Sequence, residues 1–183
     1  MNSPELDEVL RKIGRNVLVL QRIEAMLKHL IPRSHIEGDI NTIKSNQDKA
    51  INALSRQTMG NLVKRFIENI CEERSSPREE IESSEMLSFS LKITLDDEVY
   101  VSKKEALECV VAERNKLIHH MLSSFNQSSM ESCAALQIEL DEQYKLINSE
   151  YKFLKDLVLN LQSVTEHALR EVEQELIPKN KNA

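Results

Sequence analysis

Leu140-Asp141-Glu142-Gln143-Tyr144-Lys145-Leu146-Ile147-Asn148-Ser149-Glu150-Tyr151-Lys152-Phe153-Leu154 places apolar residues at steps of four and three. Leu140, Tyr144, Ile147, Tyr151 and Leu154 continue into Val158, Leu161, Ala168 and Val172, with Thr165 as a polar gap. That spacing is one face of a helix. Ser128 and Glu131 have the spacing of a capping box at its start, and Pro178 lies just past its expected end near Leu176. Two readings stay open for this heptad-like stripe: a long helix packed in a bundle, or a seam between two copies.

The rest of the chain has the same character. Pro4 suits a first helical turn, and Glu5, Asp7 and Glu8 suit its positive dipole end. Leu6, Val9, Leu10, Ile13, Val17, Leu20, Ile23, Leu27 and Leu30 then predict a helix over Pro4–Leu30, ended by Pro32. Gly14 inside it would allow a close helix approach. Residues 31–38 read as a linker. A second helix is expected from Asp39, with Ile40, Ile43, Ala50, Ile51 and Leu54 as its thin apolar face. Met59, Leu62, Val63, Phe66, Ile67 and Ile70 form a stronger stripe over Thr58–Cys71, with Ser55-Arg56-Gln57 either a break or continuous helix.

Residues 72–85 mix glutamates, four serines and Pro77, as an acidic loop does. Residues 86–101 alternate Leu87, Phe89, Leu91, Ile93 and Leu95 with polar residues. Asp96-Asp97-Glu98 then reads as a turn into Val99-Tyr100-Val101, so a β-hairpin is expected here. Ser102 and Glu105 form a second capping box, opening a helix with Leu107, Val110, Val111, Leu117, Ile118 and Leu122 on its apolar side. The expected architecture is mainly α: a single antiparallel helical bundle over 1–183, with the acidic loop and hairpin inserted before this helix.

Composition agrees. Hydrophobic residues make up 40% of the chain, but aromatics only 4%, with no tryptophan, three glycines and four prolines. That suits aliphatic packing between helices rather than a turn-rich β fold. The net charge of −6 argues against non-specific coating of nucleic acid. No apolar run is long enough for a membrane span, and the acidic N-terminus lacks a secretory pattern. Cys71, Cys109 and Cys133 are odd in number and far apart, which fits free thiols and a cytoplasmic setting. No glycine-rich phosphate loop, His-Glu-x-x-His or Cys-x-x-Cys pattern occurs, so no metal or cofactor is expected.

The chemistry-bearing stretch is Glu113-Arg114-Asn115-Lys116-Leu117-Ile118-His119-His120. At about 100° per residue, Asn115 and His119 share a helix face, while Arg114 and His119 diverge by about 140°. RNA carries its own nucleophile, the 2′-hydroxyl. Cleavage needs a base, an acid and positive charge on the developing phosphorane. Histidine titrates near neutrality and serves as base or acid. Arginine stays charged and presents a fork to phosphate oxygens. Asparagine can orient the histidine or bond to phosphate. Lys116 and His120 are secondary candidates for RNA contact. The same residues also suit an ordinary helix end, where Arg114 pairs with a neighbour and the histidines favour the negative end of the dipole.

Arg114-Asn115-x-x-x-His119 resembles the signature of the HEPN superfamily, helical domains many of which are ribonucleases. The resemblance covers six residues. It implies a homodimer in which two motif helices form one composite site with Arg114, Asn115 and His119 from each copy. It also implies metal-independent cleavage, with a 2′,3′-cyclic phosphate and a 5′-hydroxyl as products, in a toxin–antitoxin or antiviral defence setting. In HEPN toxins silenced by nucleotidyltransferase antitoxins, a tyrosine follows two positions after the histidine. Here that position is Met121, so direct blocking by a partner protein is expected instead. Arg15-Asn16 repeats the first half of the motif, but Leu20 holds the histidine place, and that copy reads as structural. The alternative function is a non-catalytic helical module that dimerises and regulates a partner.

Overall fold

The computed structural model describes residues 3–38, 42–73, 87–90, 92–121, 123 and 125–176. The fold is mainly α, with a long C-terminal helix. Helix α1 spans Pro4–Leu30, opened by Ser3, whose Oγ accepts from the Leu6 amide at 3.2 Å. A 3₁₀ turn, Ile31–Arg33, leads to strand β1 at His35–Gly38. Helices α2 (Ile43–Ser55) and α3 (Met59–Asn69) follow. The break between them is real: the Thr58 hydroxyl caps α3 by accepting from the Asn61 amide. Strands β2 (Cys71–Glu73), β3 (Leu87–Ser90) and β4 (Ile93–Leu95) precede α4 (Asp97–Lys116), a π turn (Leu117–Met121) and α5 (Met130–Leu176). At 1.5 Å per residue, α5 is about 70 Å long. Among the described residues no helix is long and apolar enough to cross a membrane.

The expected hairpin over 86–101 does not form. β3 pairs antiparallel with β1, with Ile36 opposite Phe89, and β4 pairs parallel with β2, with Cys71 opposite Ile93. Val99-Tyr100-Val101 is helical. The alternation of residues 87–95 was a sound strand signal, but the partners lie far back in the chain. Two-stranded ribbons are marginal alone, and both are anchored at helix ends, as in the bond from Ile93 N–H to the Ile70 carbonyl at 2.8 Å.

The motif helix also starts five residues before Ser102. Asp97 and Glu98 stand in its first turn, where acidic groups favour the positive dipole end, and they outweigh the extended preference of Val99 and Val101. At α5 the capping serine is Ser129, not Ser128: its Oγ accepts from the Ser132 amide. Asp39 and Ile40 fall among residues outside the described set, as do 74–85 of the acidic segment, Met86 and Leu91 of the expected hairpin, Leu122 and Pro178; α2 begins after Thr42.

The core joins Ile23 and Leu27 of α1, Leu62 and Phe66 of α3, Leu107 and Val110 of α4, and Leu140, Ile147 and Leu154 of α5. Contacts advance in the same sense along α1 and α5: Glu5 with Gln137, Arg15 with Asp141, Asn16 with Gln143. Those two helices therefore lie side by side in parallel. α4 runs against α5, with Lys103 on Glu150 and Lys116 on Glu139. It also runs against α3: Gly60 lies beside Val111, and the strand after α3 pairs with the strand before α4. The antiparallel order thus holds for α3–α4–α5, and the long connection between α1 and α3 lets α1 lie parallel to α3 and α5. Gly14 is no close-approach point: a Cβ there would meet nothing within 4 Å.

Candidate functional site

The buried face of α5 fills positions 133, 136, 140, 143, 147, 150, 154 and 161. This is a heptad ladder, but one residue out of phase with half of the apolar stripe. Gln143 and Glu150, each 4% exposed, occupy the places expected of Tyr144 and Tyr151, which are only half-buried. Each polar intruder has a partner, as burial requires. Lys103 reaches Glu150 at 3.0 Å and lies over the Phe153 ring at 4.5 Å.

Gln143 belongs to a longer chain of bonds. Arg15 Nε donates to Asn16 Oδ1 at 3.0 Å. Asn16, fully buried, donates from Nδ2 to the Leu140 carbonyl at 2.8 Å and to Gln143 Oε1 at 3.0 Å. Gln143 Nε2 in turn donates to the Glu113 carbonyl and carboxylate, both at 3.0 Å, and touches Met121 Sδ at 3.9 Å. Arg15 is held by Asp141 at 3.0 Å and stacks on Tyr144 at 4.0 Å, while Lys12 binds the other Asp141 oxygen at 2.6 Å. The Lys12 hydrogen bond above all keeps the Asp141 carboxyl below its usual range, against an opposing desolvation and with the help of the Arg15 hydrogen bond. Arg15-Asn16 is thus structural, as read.

This network ends where the motif begins. α4 stops at Lys116 and the chain widens into a π turn over Leu117–Met121. The Leu117 amide is shared between the Glu113 and Arg114 carbonyls. Leu117 and Met121 point into the core at 0% and 5% exposure. π turns of this kind occur often at functional sites.

The motif side chains distribute over three directions. Arg114, half-buried, lines a groove of about 370 Å³ between α1, α3 and α4, beside Leu20, Glu24, Lys28, Met59 and Ile118. Its Nη1 donates to Asn115 Oδ1 at 3.1 Å. Asn115 and His119 are exposed along one edge, and the Ser123 hydroxyl donates to the His119 carbonyl. Lys116 and His120 line a second groove of about 260 Å³ against α5, with Phe125 and Leu136. There Lys116 pairs with Glu139, whose hydrogen bond holds the ammonium above its usual range. Arg114 and Asn115 are therefore brought together. Among the described residues no hydrogen bond or ion pair joins Arg114 to His119 within one chain.

Comparison with protein-family models, curated proteins and solved structures finds no match to this chain.

The stripe on α5 hid Gln143, and nothing in the local pattern of α1 linked Asn16 to it. The available signal was a pair of polar residues, Gln143 and Glu150, seven apart and in phase with Leu140, Ile147 and Leu154.

Proposed function

We propose that the chain is a metal-independent endoribonuclease of HEPN type that works as a homodimer. The observation carrying this reading is the placement of the motif: Arg114 hydrogen-bonded to Asn115 in the last turn of α4, with His119 in the π turn that follows, and Asn115 and His119 both exposed. His119 transfers protons, Arg114 stabilises the charge on the phosphorane, and Asn115 holds Arg114 in place. One edge supplies one histidine. A second copy, facing the first across a two-fold axis, supplies the other acid–base group and a second arginine. Lys116 enters RNA contact only by exchanging Glu139 for phosphate, and His120 borders the α5 groove rather than the Asn115 edge. Attack by the 2′-hydroxyl yields a 2′,3′-cyclic phosphate and a 5′-hydroxyl.

By the same resemblance the activity belongs to a toxin or antiviral effector in the cytoplasm. Met121 is buried, so a regulator acts by covering the edge, not by modifying that position.

The test is incubation of purified protein with cellular RNA in EDTA. Wild type is expected to cleave, and His119→Ala and Arg114→Ala to lose at least about 100-fold of the rate. Identical RNA patterns from wild type and His119→Ala would sink the enzymatic reading.

One observation favours a second reading. Within one chain the motif residues do not converge on a common cavity, as a non-catalytic interaction module would allow. That module predicts that the Arg114→Ala, His119→Ala double variant keeps normal self-association and partner binding, with no loss of cellular function.

A further inference from the structure

Gln143 touches both ends of the segment that carries the motif. Its Nε2 lies 3.0 Å from the Glu113 carbonyl, immediately before Arg114, and 3.9 Å from the sulfur of Met121, which closes the π turn. A π turn widens the helix and leaves its carbonyls unevenly paired. Here the Leu117 amide divides itself between two carbonyls, and Gln143 gives the Glu113 oxygen a second donor from another helix. A side chain inserted in this way is a recognised cause of a local break in the helical ladder.

The amide cannot turn over. Its Oε1 accepts from Asn16 Nδ2, whose two protons are both used, on Gln143 and on the Leu140 carbonyl. Flipping Gln143 would place nitrogen against nitrogen in a site with 4% exposure.

We infer that Gln143 is a positioning residue that clasps the π turn from α5 and so holds Arg114, Asn115 and His119 in their working orientation. The inference rests on the ribonuclease reading for what that orientation serves. The clasp itself is measurable without RNA.

The experiment compares amide hydrogen exchange across 113–121 in wild type, Gln143→Met and Leu154→Ala. Met preserves volume but has no N–H to donate. Leu154 is a fully buried α5 residue away from the motif and serves as the control for general destabilisation. Gln143→Met is expected to speed exchange of 113–121 at least tenfold over wild type, while Leu154→Ala leaves that segment no faster than the rest of the bundle. Gln143→Asn, one methylene short of the Glu113 oxygen, gives the same answer where the Met variant fails to fold. In RNA cleavage, kcat is expected to fall at least tenfold with KM within twofold. Unchanged exchange in 113–121, or acceleration matched by Leu154→Ala, overturns the inference. A wild type that leaves RNA intact removes the enzymatic reading instead, and the exchange result still decides whether Gln143 holds the turn.

Discussion

Asn16 and Gln143 should be coupled in stability, and the size of the coupling follows from their bonds. Asn16→Leu keeps the approximate shape but removes both Nδ2 donors. The Leu140 carbonyl retains Arg15 and its place in the helix, whereas Gln143 Oε1 loses the Asn16 donor in a nearly closed site. An orphaned buried acceptor costs about 1–3 kcal/mol. Gln143→Met orphans one Asn16 proton and releases Glu113, whose half-buried carboxylate regains water, so about 1–2 kcal/mol is expected. In the double variant neither end leaves an unpaired group facing the other. Replacing both partners by apolar groups of similar shape is close to neutral. The double variant should then be less destabilised than the sum of the singles, by about 1–2 kcal/mol. Urea unfolding followed by far-UV circular dichroism measures this, at one protein concentration so that self-association does not enter. Additivity within about 0.5 kcal/mol, or single variants indistinguishable from wild type, would refute the claim that one buried chain of bonds joins α1 to α4.

Four further outcomes are expected. Gly14→Ala should stabilise by about 0.5–1 kcal/mol in thermal or urea unfolding, because the new methyl meets nothing within 4 Å and the glycine wastes chain entropy; a loss would show that another molecule packs on this face. Burial pushes the Cys71 thiol from an ordinary 9.0 up to about 11, so at pH 8 its thiolate is about a hundredfold scarcer. Half-buried Cys109 should label first with a disulfide reagent, and rapid labelling of Cys71 in the folded chain would contradict its burial. Asp141 titrates below its unfolded value near 3.8, chiefly through the Lys12 bond, so its contribution is present above pH 4 and lost as pH falls through the lowered folded value. Asp141→Asn should flatten the stability profile in that acid range, and coincident profiles would exclude the effect. Ending the chain after Gln162 removes the exposed residues 163–167 together with the expected seam positions Ala168 and Val172. If Ala168 and Val172 continue a seam between copies, sedimentation equilibrium will show the shortened chain as monomer; an intact dimer would place the contact elsewhere.

Legibility in the sequence followed the range of the interactions. α1 and the helical run of α5 as far as Leu176 were readable because Pro4, acidic first-turn residues and a period near 3.6 act within one element. The strand tendency of 87–95 was equally local, but a pairing partner is a long-range fact. β1 lies some fifty residues earlier, and the adjacent Val99-Tyr100-Val101 offered a nearer partner that instead joined α4. The two open readings of the α5 stripe are separable as far as Leu161. Leu140, Ile147, Leu154 and Leu161 are all buried within the chain, so over that length the bundle occupies the seam. At the site, residue identity and helical placement were visible, while the π turn was not. No propensity announces it. It depends on Leu117 and Met121 being drawn into the core together and on a glutamine from another helix.

The geometry of that turn sharpens what separates an enzyme from an interaction module. In one chain Arg114 leans into the α1–α3 groove, Lys116 is occupied by Glu139, and the Asn115–His119 edge faces outward. A phosphate on that edge meets one histidine, which can act as base or as acid but not as both for the same bond. The missing proton transfer is worth about 10²–10⁴ in rate. A catalytic role therefore ties activity to a second copy: rate per chain must rise with protein concentration through the range where the dimer forms, then level off. A chain that self-associates normally but cleaves RNA with a rate per chain independent of dilution would owe that activity to something other than a composite site.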